Sequence, residues 1–160
     1  MTFLAKWFDY LTKNGVRYSH SVHREAQTAR QTAQAEFVPA HEFAKTVTFF
    51  SERGFGAAVV PADECVDLME AARRLNLAYI RLANEQELSE LFPDCEVGAM
   101  PPINMRYEMP VIVDEAVADS PYIAFTVGTH RDAVRMKYED FRRLAKPVSG
   151  EIAIRKLAHA

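Results

Sequence analysis

Lys45 stands at the start of an apolar hairpin, and that hairpin limits the fold more than any other stretch of the chain. Val47, Thr48, Phe49 and Phe50 follow the lysine, Glu52-Arg53-Gly54 supplies a turn, and Phe55 to Val60 returns as a second apolar run. β-branched and aromatic residues on both sides of a short Gly-containing turn read as two antiparallel strands. Helical and extended patterns are interspersed around this pair. Phe3, Leu4, Trp7, Phe8 and Leu11 recur at helical spacing, with Thr2 placed to cap the start and Asn14-Gly15 to close the end. Residues 16–21 alternate as a short strand. Thr28 and Gln31 form a capping box for a helix over 29–36, which stops before Pro39. Helices are also expected over 66–75, from the Asn84/Glu87 cap through Leu91, and over 138–145. Strands are expected over 79–82, 110–113, 122–127 and 133–136. The pattern implies one α/β domain with a mixed sheet among helices. That domain is expected over residues 1–150, with 151–160 as a ragged C-terminal tail.

Composition narrows the class. A chain of 160 residues fits one domain and can bury about two thirds of its unfolded surface, so it needs no metal or disulfide to fold. The net charge of -3 argues against broad, nonspecific nucleic-acid binding, though not against a small local contact. Arg131, Arg135, Lys137, Arg142, Arg143 and Lys146 collect late in the chain, diluted by Asp132, Glu139 and Asp140. They read as a solvated face rather than a phosphate-binding patch. Two cysteines, Cys65 and Cys95, make no disulfide framework. The N-terminus lacks the pattern of a signal peptide, and no apolar run approaches the ~20 residues a membrane span needs. A cytoplasmic location with reduced thiols is expected, without membrane contact.

Lys45 is the sharpest single candidate for chemistry. An ammonium at a strand start can donate hydrogen bonds to a carbonyl or phosphate oxygen, or guard a sheet edge against aggregation. Residues 92–109 form a long segment containing Pro93, Gly98, Pro101 and Pro102, and loops of that length are often functional. Gly98 allows close backbone approach, the prolines hold the chain extended, and main-chain amides so presented can stabilise an oxyanion. A tight structural connection reads equally well. His20, His23, His41 and His130 have no metal-ligand spacing, so no metal is expected. Cys65, expected to open a helix, has no histidine in readable relation to it. Thr126 to His130 is an ordinary turn or a pocket lining at a strand end. Asp114 either positions a partner's hydroxyl or caps the next helix.

The ordered set of landmarks resembles the YbaK/ProX-like aminoacyl-tRNA deacylases, a group that includes the editing domain inserted in bacterial prolyl-tRNA synthetases. Tyr18, His23 and Thr28 are followed by Ala44-Lys45-Thr46, Val59-Val60-Pro61-Ala62, and Arg81-Leu82-Ala83 with Glu87-Leu88. The strongest block runs from Leu91-Phe92-Pro93 through Cys95-Glu96-Val97-Gly98-Ala99-Met100-Pro101-Pro102, and Pro110 to Asp114 and Gly128 complete the series. The match spans roughly residues 16–145. The resemblance implies a curved mixed sheet surrounded by helices, and hydrolysis of the ester joining a wrong amino acid to the 3′-terminal adenosine of a tRNA, without cofactor. It places Lys45 and Gly98 in catalysis. His23, Thr28, Thr46, Ala99, Pro101, Pro102, Asp114, Gly128 and His130 follow as substrate-binding residues. Partners implied are the aminoacyl end of tRNA and an aminoacyl-tRNA synthetase. Members commonly carry an aromatic residue or leucine followed by glycine after the prolines, whereas this chain has Ile103-Asn104. That departure motivates an alternative, a non-catalytic module binding an aminoacyl-adenosine, a nucleotide or a protein through the same pocket.

Overall fold

The computed structural model describes residues 2–105 and 108–155. In chain order its elements begin with α1 (Phe3–Lys13), β1 (Tyr18–Val22), α2 (Ala29–Ala35) and a 3₁₀ turn (Ala40–Glu42). Next come β2 (Ala44–Ser51), β3 (Gly54–Pro61), β4 (Glu64–Val66), α3 (Leu68–Arg74), β5 (Ile80–Leu82) and α4 (Glu85–Leu91). The last are β6 (Val111–Asp114), α5 (Glu115–Ala118), β7 (Tyr122–Thr126), β8 (Asp132–Lys137), α6 (Tyr138–Ala145), β9 (Val148–Gly150) and β10 (Ala153–Arg155).

The expected hairpin lies inside a five-stranded mixed sheet of order β5-β2-β3-β6-β9. β2 and β3 pair antiparallel along their whole length, and β6 joins β3 in parallel. Strand side chains alternate between faces, so β3 serves two cores. Ala57 and Val59, with Val111 and Val113 of β6, pack into a cluster with Trp7, Leu11, Phe125 and Phe141. Ala58, Val60 and Ile112 face the other way, onto Phe49, Ala71 and Ile152. Burial on both faces is why these strands read as unbroken apolar runs. A separate antiparallel sheet of order β1-β8-β7 closes over the first core, and β4 pairs with β10. Trp7 is fully buried edge-on to Phe125, with ring centroids 5.9 Å apart. Its indole N–H donates to the Ile103 carbonyl at 3.3 Å, which ties α1 to the long loop.

Both expected capping boxes are present, Thr28 with Gln31 and Asn84 with Glu87. The chain departs from the sequence pattern where pairing is nonlocal. Cys65 lies exposed in β4 rather than opening a helix; α3 starts at Leu68 behind Asp67, whose carboxylate accepts from the Glu70 amide at 3.1 Å. Residues 151–155 are no ragged tail. Ile152 is fully buried, the amides of Ile152 and Ala153 both donate to Asp114 Oδ1 at 3.0 Å, and β10 completes a ladder with β4. The described residues of 92–109 contain neither helix nor strand, as expected, and the following strand starts at Val111. On the late basic segment, Arg142 pairs with Glu139 and Arg143 with Asp140 along α6, the expected solvated face.

Phe37 takes a position that usually belongs to glycine. It follows α2 with φ +58, its N–H donates to the Gln34 carbonyl, and the Val38 N–H reaches Ala33. This helix end demands a left-handed residue, and Asn76 fills the same role after α3 with φ +55. A phenylalanine there bears the left-handed strain while leaving its ring 94% exposed. Phe37→Gly is therefore expected to raise unfolding stability by about 1 kcal/mol, read as a higher denaturant midpoint at unchanged slope.

Glu87 couples α4 to β5. The Arg81 guanidinium holds its carboxyl down, with help from the Asn84 amide, from the ordinary 4.5 to about 2. Its contribution to stability is complete above the unfolded value and disappears as pH falls through about 2. The difference in thermal midpoint between wild type and Glu87→Gln should stay constant above pH ~5 and close progressively toward pH ~2.

Candidate functional site

A cavity of about 720 Å³ opens between β2 and α2. Ala44, Lys45, Thr46, Val47 and Thr48 border it in unbroken succession. One face of a strand would contribute only alternate residues, so the cavity runs along the edge of β2. That edge is open because β5 pairs with β2 only over Phe49–Ser51. Helix α2 forms the facing wall from Thr28 to Thr32, and Gly98, Met100, Thr126 and His130 complete the lining. The size suits a small-molecule ligand or the end of a larger one.

Lys45 is half-buried at this edge. Its ammonium donates to the Glu64 carbonyl at 2.5 Å. Gly98 borders the same cavity from the long loop with φ +89, a conformation open to glycine at little cost. A Cβ at Gly98 would sit 3.4 Å from His130 Cε1, so the absence of a side chain exposes the imidazole and main chain together.

The loop is clamped from below by the turn between β7 and β8. The Gly128 N–H donates to the Ala99 carbonyl at 2.6 Å, and the Glu96 N–H donates to the Gly128 carbonyl at 2.9 Å. The Glu96 carboxylate accepts from the His130 amide at 2.8 Å, and His130 Nε2 lies 2.9 Å from the Val97 carbonyl. His130 is thus buried and oriented by two contacts to the loop that carries Gly98.

Of the residues expected at the site, Lys45, Gly98, Thr28, Thr46 and His130 share this cavity. The others do not border it, each for a definable reason. Ala99 is fully buried behind Gly98, its carbonyl held by Gly128. Gly128 itself shapes the turn with φ +76, and a Cβ there would press on Phe3 at 3.1 Å. Pro101 and Pro102 are buried, and Pro102 borders a different cavity beneath α1 and α6. Asp114 caps α5 through the Ala116 amide and holds Ile152 and Ala153, which consumes both carboxylate oxygens. His23 turns inward, with Nδ1 2.6 Å from the Arg24 carbonyl and Nε2 3.9 Å from a Glu36 oxygen. Ile103 and Asn104 are also remote. Ile103 belongs to the core and Asn104, which does not adopt positive φ, borders the other cavities. The departure that motivated the binding-only alternative therefore lies away from the pocket.

Sequence reasoning missed Arg30, Thr48 and Asp63 on the lining, while Thr126 lines it as one of the two readings of the Thr126–His130 segment. Asp63 Oδ1 is buried and accepts no hydrogen bond among the described residues, with His41 Nδ1 3.5 Å away. Single polar residues beside a turn carry no local sign of sharing a cavity. His41, Asp63 and Glu64 bring ligand-type atoms within 4.8 Å of one another, a rim cluster in which His41 and Asp63 already face each other.

Gly98→Ala should cost about 1–2 kcal/mol in unfolding free energy. The strain of positive φ sets this cost, since the new methyl would make an ordinary contact with His130. Calorimetry beside Gly128→Ala separates the cases, because the latter adds a crowded contact and should lose more.

Fold and site together define a single α/β domain with a ligand-sized cavity along one open strand edge. The family model for the aminoacyl-tRNA editing domain matches residues 23–144, and the chain belongs to that family. Proline--tRNA ligases from two Xanthomonas oryzae pv. oryzae strains are 33% identical over 92 residues, 58% of this chain but only 16% of their own length. Among solved structures, the hypothetical protein APE2540 superposes with TM-score 0.83 at 18% identity, over 93% of this chain and 99% of its own. A candidate trans-editing enzyme for prolyl tRNA synthetase superposes with TM-score 0.81 at 22% identity, over 96% and 99%. At these identities the structures establish the fold. No helix among the described residues is long and apolar enough to cross a membrane.

Proposed function

We propose that this protein is a trans-acting aminoacyl-tRNA deacylase that removes a mischarged amino acid from the 3′ end of a tRNA. The carrying observation is that Lys45 and Gly98, far apart in sequence, border one cavity in a member of the editing-domain family. Lys45 would contact an oxygen of the aminoacyl ester or the terminal adenosine. The Gly98 main chain would approach the ester carbonyl, with its N–H toward the developing oxyanion. Water would attack the carbonyl carbon, the bond to the ribose oxygen would break, and that oxygen would take up the proton. The products are the free amino acid and deacylated tRNA. Activation of that water by the neighbouring ribose hydroxyl, implied by the resemblance, removes the need for a protein nucleophile. Thr28, Thr46 and His130 would line the bound end, while Ala99, Pro101 and Pro102 support the loop from behind.

Ester chemistry is shared by all aminoacyl-tRNAs, so specificity would come from pocket size, where one methylene is worth only ~1–3 kcal/mol. A small amino acid is favoured. The proposed setting is the cytoplasm, where the protein would follow a synthetase that releases the error.

A deacylation screen over tRNAs charged with noncognate small amino acids tests this reading. Lys45→Ala should lower the rate on the preferred substrate by about 10²-fold or more. Loss of the charge-assisted bond to Glu64 should reduce stability by only about 1–3 kcal/mol, leaving a folded protein by circular dichroism. Undiminished rates for that variant across the whole panel would remove Lys45 from the reaction.

A further inference from the structure

The unpaired edge of β2 has a defined hydrogen-bonding pattern. Ser51 and Gly54 close the hairpin as facing partners around the two residues Glu52-Arg53. In an antiparallel ladder, residues that exchange hydrogen bonds with the partner strand alternate with residues that do not. Counting back from Ser51, residues 49, 47 and 45 bond to β3, while 50, 48, 46 and 44 turn their main-chain groups outward. The Ala83 N–H donates to the Thr48 carbonyl at 3.0 Å, which verifies the outward set. The chain then leaves the edge, because Asn84 caps α4. Thr46 is the next outward residue. Its N–H and C=O turn to the cavity side of the edge, with no strand against them among the described residues.

Resting on the deacylase reading above, we propose that the main chain of Thr46 reads the terminal adenine of the substrate, donor to acceptor and acceptor to donor. The strand edge from Ala44 to Thr48 measures about 13 Å, room for one nucleoside beside the ester. Lys45 and Gly98 border the same cavity; with the ester held by them, the base would lie along the outward-facing main chain of the edge. Adenine carries an amine donor next to a ring-nitrogen acceptor, the complement of one outward-facing strand residue. Peptide groups are rigid and uncharged, so this recognition needs no ordered side chain and no particular protonation state. Thr28, the N-cap of α2 across the cavity, has its hydroxyl fixed by accepting from the Gln31 amide at 3.1 Å.

The test uses the full-length protein and short acceptor-stem RNA hairpins ending in adenosine or inosine, charged with the same amino acid. Inosine replaces the amine with a carbonyl and N1 with N1–H, which reverses both partners on the N1 edge and the amine alone on the N7 edge. The expected result is a KM about tenfold or more higher for the inosine end, with kcat nearly unchanged. Thr46→Pro removes the outward N–H at an edge position where proline is tolerated, and should bring the adenosine substrate down to the rate of the inosine one. Equal kinetics for the two ends in wild type would overturn the proposal by themselves, whether or not the proline variant folds. So would a base-blind enzyme inhibited competitively by an extended peptide, since the edge would then take a strand. Anisotropy with the uncharged hairpins separates the two levels. A preference for the adenosine end without hydrolysis of any charged RNA would remove the deacylase reading and keep the base contact; no preference would remove the contact.

Discussion

The antiparallel pairing of β2 with β3 is the constraint on which this molecule rests. It runs the full length of both strands, so it sets which side chains of β3 enter each of the two cores and which main-chain groups of β2 turn outward. A register slip of one residue would exchange the two faces and also rotate the cavity edge away. Stability and the course of the cavity edge are therefore written into one hydrogen-bond ladder. β2 is covered on one side and left half-open on the other, which is normally a liability. Here α2 stands across the gap, and the space between them becomes a cavity rather than an aggregation edge.

The second constraint is the clamp on the long loop. A segment without helix or strand has to satisfy its polar groups elsewhere. Residues 96–99 do so through the β7–β8 turn, with bonds running between Glu96, Ala99, Gly128 and His130. The clamp explains a division of labour among the glycines. Gly128 serves the turn that holds the loop, whereas Gly98 presents a bare surface to the cavity. His130 joins the two, since its amide belongs to the clamp and its ring stands behind Gly98.

Much of this was legible in the chain because the signals are local. Capping boxes at Thr28/Gln31 and Asn84/Glu87 depend on residues three apart, and both are formed. The hairpin depends on a two-residue turn between apolar runs. Lys45 and Gly98 were readable as candidates from their immediate neighbours, and the resemblance put them in one site. β4, β9 and β10 were not legible, since three-residue strands rich in exposed or polar positions exist only through their partners. The fate of Asp114 depended on Ile152 and Ala153, 38 and 39 residues away.

By itself, the order of residues determined the elements with local signatures, the α/β class, and the lysine and glycine worth watching. Periodicity, caps and turns act over a few residues, so one dimension suffices to express them. Tertiary structure alone decided which candidates meet. It sent Asp114, Gly128, Ala99 and the prolines to structural duty and brought Arg30, Thr48 and Asp63 to the cavity. It also left the β2 edge unpaired opposite α2. Whether a strand edge is covered depends on where distant segments come to lie, and no neighbour in sequence carries that information.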